Sequence, residues 1–189
     1  MKKIMFNERF DLNRAVLQGE KTNTRRDGHR VYLDYERGRS LGDYSSLTLE
    51  EYAMQKSPFK VGEIVAVAQS YKALGYDPMF CPPGHEDGLG SEEGWSNKMY
   101  VSADLCKHHI RIDAVKFERL KEITDEEILK EGVIKTDCCA PYGYRDGAHL
   151  TRNFRTPIDA FASLIDKVSG KGTWEANRYV YAYSFTLID

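Results

Sequence analysis

The sequence predicts an α+β fold in which short strands alternate with a few capped helices, arranged as a small barrel or a strongly curved sheet. Three observations predict it. Ile64-Val65-Ala66-Val67-Ala68 is a compact apolar run of the length of one buried strand. Tyr179 to Phe185 alternates aromatic and small residues, the period of a half-buried strand. Two helices carry their caps in the sequence, a capping box at Thr124-Asp125-Glu126-Glu127 and a first-turn proline at Thr156-Pro157.

In chain order, Lys2 to Phe6 reads as a short strand. A helix follows, with Asp11 or Asn13 near its start, Ala15, Val16 and Leu17 inside, and Gly19 just past its end. Residues 38–58 are polar and unpatterned apart from a helical turn at Thr48-Leu49-Glu50-Glu51. Val61-Gly62-Glu63 then leads into the apolar strand. Residues 72–97 hold five glycines and three of the six prolines, including Cys81-Pro82-Pro83-Gly84, so a long loop is expected there. Tyr100-Val101 and His109 to Phe117 read as further strands. The Thr124 helix runs to Glu131 and stops at Gly132. The Thr156 helix buries Ile158, Phe161, Ala162, Ile165 and Val168, spaced by three and four, and closes at Gly170.

Composition removes several classes. A chain of 189 residues is expected to form one domain. Its net charge of −2 argues against a wholesale coat of polyanion, because nonspecific phosphate affinity grows with the number of cations presented. Charge is uneven, however. Residues 1–30 hold eight Lys or Arg against four acids, which makes this segment the expected anion-facing surface. The apolar stretch Ile4-Met5-Phe6 is too short for a signal-peptide core. No run approaches the ~20 apolar residues of a bilayer span, so no membrane partner is expected. Cys81, Cys106, Cys138 and Cys139 lack the spacing of a disulfide scaffold, and a reduced, cytoplasmic protein is the expectation.

The chemistry concentrates in Gly19-Glu20-Lys21-Thr22-Asn23-Thr24-Arg25-Arg26-Asp27. Gly19 releases the chain from a helix into a polar segment with a lysine, two hydroxyls, an amide and two guanidiniums. Such a segment binds an anion by pairing its cations with the charge and orienting it through Thr22, Asn23 and Thr24. It also suits nucleophilic chemistry. Lys21, desolvated beside Arg25 and Arg26, loses basicity and becomes able to deprotonate Thr24. In a fully extended chain Lys21 and Thr24 point to opposite faces, so that chemistry needs a bend. The same composition equally describes a solvated basic connector.

The string Gly-x-Lys-Thr-x-Thr-Arg-Arg after an N-terminal helix resembles the opening signature of the ASCH domain, a family of the PUA-like superfamily of small β-barrels. The similarity continues through Val61-Gly62-Glu63-Ile64-Val65-Ala66-Val67 and Gly94-Trp95-Ser96-Asn97-Lys98-Met99-Tyr100-Val101. It resumes at Ile110-Arg111-Ile112, runs from Glu118 through Thr124 to Glu131-Gly132, and closes at Trp174-Glu175-Ala176-Asn177. The phage and prophage branch is the most similar, and Arg178 stands where that branch usually has proline. The resemblance implies a PUA-like small β-barrel with flanking helices, one domain over 1–189, with long loop insertions at about 32–57, 72–93 and 135–156.

It also implies function. PUA-like domains bind RNA or modified bases beside the barrel, so the expected ligand is RNA, a nucleotide or a modified base, held by the Lys21–Arg26 segment. A small bacterial subgroup removes the acetyl group from acetylcytidine using a Lys and a Thr of this segment and a Glu of the downstream helix. By motif position these are Lys21 as base, Thr24 as nucleophile and Glu131 as acid or positioning group, with Arg26 on the polar edge or phosphate of the substrate. A phage-derived protein-interaction module, with the insertions as partner surface, is the third alternative.

Other candidates are weaker. Trp95, beside Asn97 and Lys98, is a stacking candidate for a base, and packing against the fold is the commoner fate of a Trp. Trp174 is the less favoured of the two. Cys81 with His85, Cys106 with His108 and His109, and Cys138-Cys139 with His149 supply metal-ligand residue types without the paired Cys-x-x-Cys spacing. No metal and no cofactor are expected.

Overall fold

In the computed structural model, which describes residues 1–43, 46–76 and 92–189, helices and strands are mixed along the chain as an α+β protein. The elements begin with β1 (Lys3–Ile4), α1 (Leu12–Leu17), β2 (Asn23–Asp27), α2 (His29–Leu41), α3 (Leu49–Lys56), β3 (Ile64–Val67), α4 (Tyr71–Leu74) and α5 (Glu92–Ser96). They continue with β4 (His109–Arg119), α6 (Asp125–Lys130), β5 (Ile134–Lys135), β6 (Tyr142–Asp146), β7 (His149–Phe154), α7 (Pro157–Ser169), α8 (Thr173–Ala176) and β8 (Tyr179–Leu187). No helix of the described residues is long and apolar enough to cross a membrane. Two units are distinguished. The first comprises Met1–Phe6, Ile64–Arg111 and Leu187–Asp189, and the second comprises Asn7–Glu63 and Ile112–Thr186.

In the first unit, β1 lies parallel to β3, with Lys3 opposite Ala66 and Ile4 opposite Val67. On its other side β3 pairs antiparallel with the start of β4, Ile64 opposite Arg111 and Ala66 opposite His109. Flanked on both edges, Val65, Ala66 and Val67 are fully buried, as the apolar run requires. The expected strand at Tyr100-Val101 is instead the end of a short 3-10 turn, Lys98–Tyr100. Its carbonyls explain the difference. Lys3 Nζ collects the oxygens of Lys98, Met99 and Val101 at 3.0, 2.7 and 2.6 Å, which leaves them unavailable to a strand ladder. Cys81 and His85, and most of the expected loop over 72–97, lie outside the described residues.

In the second unit the strand order is β4, β8, β2, and β5, β6 and β7 form a separate three-stranded sheet. Among the described residues the ladders are open and do not close into a barrel. β8 carries the aromatic alternation as expected. Tyr181, Tyr183 and Phe185 are buried, and the Tyr181 and Tyr183 hydroxyls bond Ala53 O at 2.8 Å and Ser57 Oγ at 3.0 Å. Burial pushes the Tyr181 phenol up to about 12, from an ordinary value of 10.0. A raised phenol pKa stabilises the fold fully below pH 10, and this contribution is lost as pH rises through 12. Ultraviolet titration is therefore expected to show Tyr181 ionising near pH 12. A Tyr181→Phe chain that titrates identically would contradict this.

Two segments without a sequence pattern are ordered by packing. Over residues 38–58, α2 is held to α3 by the Tyr35 hydroxyl on Leu47 O at 2.7 Å and by the Tyr35 and Tyr52 rings, 5.6 Å apart. Thr48 and Glu51 form the capping box of α3. Over 135–156, β6 and β7 form a hairpin in which Asp146 pairs with His149 across a turn at Gly147, whose φ of +62° suits glycine. α7 keeps its expected limits, yet its buried stripe is Ala160, Phe161 and Leu164, and Ile158 is exposed. The helix packs against α6, α8 and β6 together, so the apolar spacing does not by itself select the inward face.

Candidate functional site

The Gly19–Asp27 segment turns once and then runs straight. Gly19 follows α1 with φ +72° and donates to Val16 O, while the amides of Glu20 and Lys21 both reach Ala15 O at 2.8 and 2.9 Å. These bonds use the open carbonyls of the helix end and fold Lys21 back toward it. The turn thus lies ahead of Lys21, just before the strand, and not between Lys21 and Thr24. Thr22 continues with its amide on Lys130 O at 3.1 Å and its carbonyl accepting from Phe185 N at 2.9 Å. From Asn23 onward the segment is strand β2 rather than loop, with Thr24 opposite Tyr183, Arg25 opposite Ala182 and Arg26 opposite Tyr181. Strand alternation places Asn23, Arg25 and Asp27 on one face, Thr24 and Arg26 on the other.

The side chains converge on α6. Lys21 Nζ donates to Glu131 Oε2 and to the Glu131 main-chain oxygen, each at 2.7 Å. The Lys21 and Glu131 side chains are 2% and 6% exposed. Arg25 Nη1 donates to Glu131 Oε1 at 3.0 Å, and Nη2 donates to Glu118 at 2.6 Å and to Glu127 at 2.7 Å. Lys116 binds the remaining Glu127 oxygen at 3.0 Å. The result is a chain of alternating charges running from buried Lys21 to exposed Lys116. Glu131 caps α6 at its C-terminal end, where a carboxylate opposes the helix dipole, and the two cations offset that.

The electrostatics follow from burial. Removal from water pushes the Lys21 ammonium below its ordinary value, with Arg26 and Arg25 acting the same way and Glu131 opposing. Burial likewise lowers Arg26, against the attraction of Glu131 and Tyr183. For Glu127 burial acts upward, and the bonds from Lys116, Thr124 and Arg25 outweigh it, so its carboxyl stays below the usual range. Thr24 is buried, and its hydroxyl makes no hydrogen bond to another described group.

Lys21 and Arg25 thus both contact Glu131, whereas Thr24 and Arg26 project from the other face of the same strand, β2. Trp95, Asn97 and Lys98 belong to the first unit. There Trp95 packs against a core that includes Ala66, Tyr71 and Val101, and its Nε1 donates to Tyr76 O at 2.7 Å. Asn97 accepts from Met99 N at 2.9 Å, and Lys98 Nζ donates to Phe6 O at 3.1 Å. Sequence reasoning missed Glu118 and Glu127 as partners of the basic segment. One signal was present, the i,i+4 spacing that puts Glu127 and Glu131 on one side of α6. Among the described residues no three His, Cys, Asp or Glu side chains gather closely enough to hold a metal ion.

A lysine and a carboxylate in direct contact out of water form a proton donor and acceptor of low hydration, able to exchange a proton with a bound polar group. Comparison with models of known families, with curated proteins and with solved structures finds no match to this chain.

Proposed function

We propose that the chain is an ASCH-type module of the PUA-like superfamily, its sheet a variant of that barrel, and that it binds a nucleoside, nucleotide or modified base, free or within RNA, beside Lys21–Arg26. The observation that carries this reading is the Lys21–Glu131 contact. The resemblance alone assigns these residues to one site; they stand 110 positions apart in sequence and 2.7 Å apart in space. A buried ion pair is a poor stabiliser compared with apolar residues of similar size. Perturbed, paired titratable groups concentrate at functional sites. Arg25 is committed to three carboxylates, which favours a small polar ligand over a phosphate backbone as the occupant.

The second reading is hydrolysis of an acyl-amide on a cytidine-like nucleoside. It is favoured by a Thr24 hydroxyl that bonds no other described group and by a Lys21 ammonium of lowered pKa. Thr24 Oγ attacks the acyl carbon as its proton passes to the Lys21–Glu131 pair. The amide C–N bond breaks as that proton passes to the departing nitrogen, and water then cleaves the acyl-threonine ester to release the acid. Glu131 holds Lys21 in place throughout.

Calorimetric titration with acetylcytidine and cytidine, together with chromatography for released cytidine, separates the readings. Binding without release, weakened in Lys21→Ala, supports the first. Release that falls by about 10²–10⁴ in Lys21→Ala, the usual contribution of a general base, supports the second. Absence of both binding and release would overturn the two together.

A further inference from the structure

The second unit holds a cavity of about 350 Å³, on the side of β2 that carries Arg25 and Asp27. This volume falls within the range of small-molecule sites, roughly 300–1,000 Å³. Its floor is apolar, formed by Leu120, Ile165, Ala176 and Val180. Its charged groups are Lys171, Arg178 and Asp27, together with Arg25, which is already paired with Glu118, Glu127 and Glu131, while Asp166 lies within electrostatic reach of Lys171. Lys21, Thr24 and Glu131 do not line it.

The walls are tied in place by the protein itself. Asp166 accepts the amides of Gly172 at 3.0 Å and Trp174 at 2.8 Å, fixing the turn between α7 and α8. Thr173 Oγ1 closes the same turn on Gly170 O at 2.6 Å. Asn177 adopts a left-handed φ of +43°, with its side chain accepting from Lys121 N at 2.9 Å and its carbonyl accepting from Arg119 Nη1 at 3.2 Å. Leu120 N donates to Arg178 O at 3.0 Å. Walls fixed in advance spare a ligand the cost of ordering them.

The cavity's donors are not all spent. Among the described residues, exposed Lys171 and Arg178 make no side-chain hydrogen bond or salt bridge. Arg25 Nε is buried without a hydrogen-bond partner, and a buried donor in that condition calls for an acceptor. We infer that the cavity binds a small organic monophosphate with a flat apolar body. The phosphate meets Lys171 and Arg178, and the body covers the apolar floor. Inorganic phosphate leaves the floor bare, and a neutral body leaves the cations unspent. The inference rests on this cavity, which shares Arg25 with the Lys21–Glu131 network but takes its phosphate contacts from Lys171 and Arg178.

The test titrates the full chain at low salt with phenyl phosphate, adenosine monophosphate, inorganic phosphate and adenosine, read by calorimetry. At least one organic phosphate is expected to bind about tenfold or more tightly than inorganic phosphate and adenosine, the worth of a charged hydrogen bond. Arg178→Glu combined with Lys171→Glu is expected to abolish that preference, with circular dichroism confirming the fold, whereas the matched reversal of exposed Arg37 and Arg39 on α2, Arg37→Glu with Arg39→Glu, leaves it intact. Equal binding of all four probes would overturn the inference. So would a preference that survives the cavity reversal, or one lost equally in the α2 reversal, which would mark it as general charge attraction.

Discussion

Replacing Glu131 by alanine is expected to lower folding stability by about 3–5 kcal/mol, the cost of leaving a buried charge without its partner. At this chain length that is about 10 °C in Tm. Glu131 Oε2 holds Lys21 and Oε1 holds Arg25, so a single truncation strands two cations. They fare unequally. Arg25 keeps Glu118 and Glu127, while among the described residues Lys21 keeps only the Glu131 main-chain oxygen. Most of the loss therefore comes from Lys21, and Lys21→Met added to Glu131→Ala should recover a large part of it by removing the stranded charge. Urea unfolding of the wild type, both single variants and the double variant measures the coupling. A Glu131→Ala midpoint equal to wild type would show that water, not burial, sets the energetics of this pair.

Gly132→Ala is the second substitution expected to be costly. Gly132 has φ +108°, where an L side chain is strained by about 1–3 kcal/mol. An added Cβ would also lie 2.6 Å from Leu12 Cδ2, in the buried contact between α1 and the end of α6. Leu12 can swing its methyl aside only by opening packing around a residue that is itself buried. Together these give a loss of about 2–4 kcal/mol in the same unfolding measurement. Gly132 is also the residue after Glu131, so relief of the Leu12 clash by backbone movement would carry Glu131 with it. On the proposed function, a shift of Glu131 is expected to weaken nucleoside binding even in molecules that remain folded. A Gly132→Ala chain as stable as wild type would mean that the left-handed turn is not enforced.

Much of the architecture was legible where local chemistry decides it. The capping box at Thr124–Glu127 and the Thr156-Pro157 start both use side-chain oxygens on amides three residues away, an interaction contained in the sequence itself. Gly19 and Gly132 end helices at positive φ for the same local reason. By contrast, α2 has little apolar patterning and becomes a helix by resting Tyr35 on Tyr52 and Leu47, partners that only folding supplies. The hairpin of β6 and β7 had a local signal in Asp146-Gly147, overlooked because the surrounding residues are polar. Within the site, Lys21, Thr24 and Glu131 were singled out together by the motif positions of the ASCH resemblance. The roles of Glu118 and Glu127 were not, since Glu127 already had a local task as the cap of α6.

By itself the sequence determined which segments end, bend or alternate, because caps, glycines and strand periodicity act over three or four residues. Only the tertiary structure decided where the charges of the basic segment go. Coulomb and hydrogen-bond energies depend on distance and on exclusion of water, and neither is encoded by separation along the chain. Lys21 is a buried partner of Glu131, and Arg25 a bridge among three carboxylates, because α6 and the end of β4 arrive beside β2.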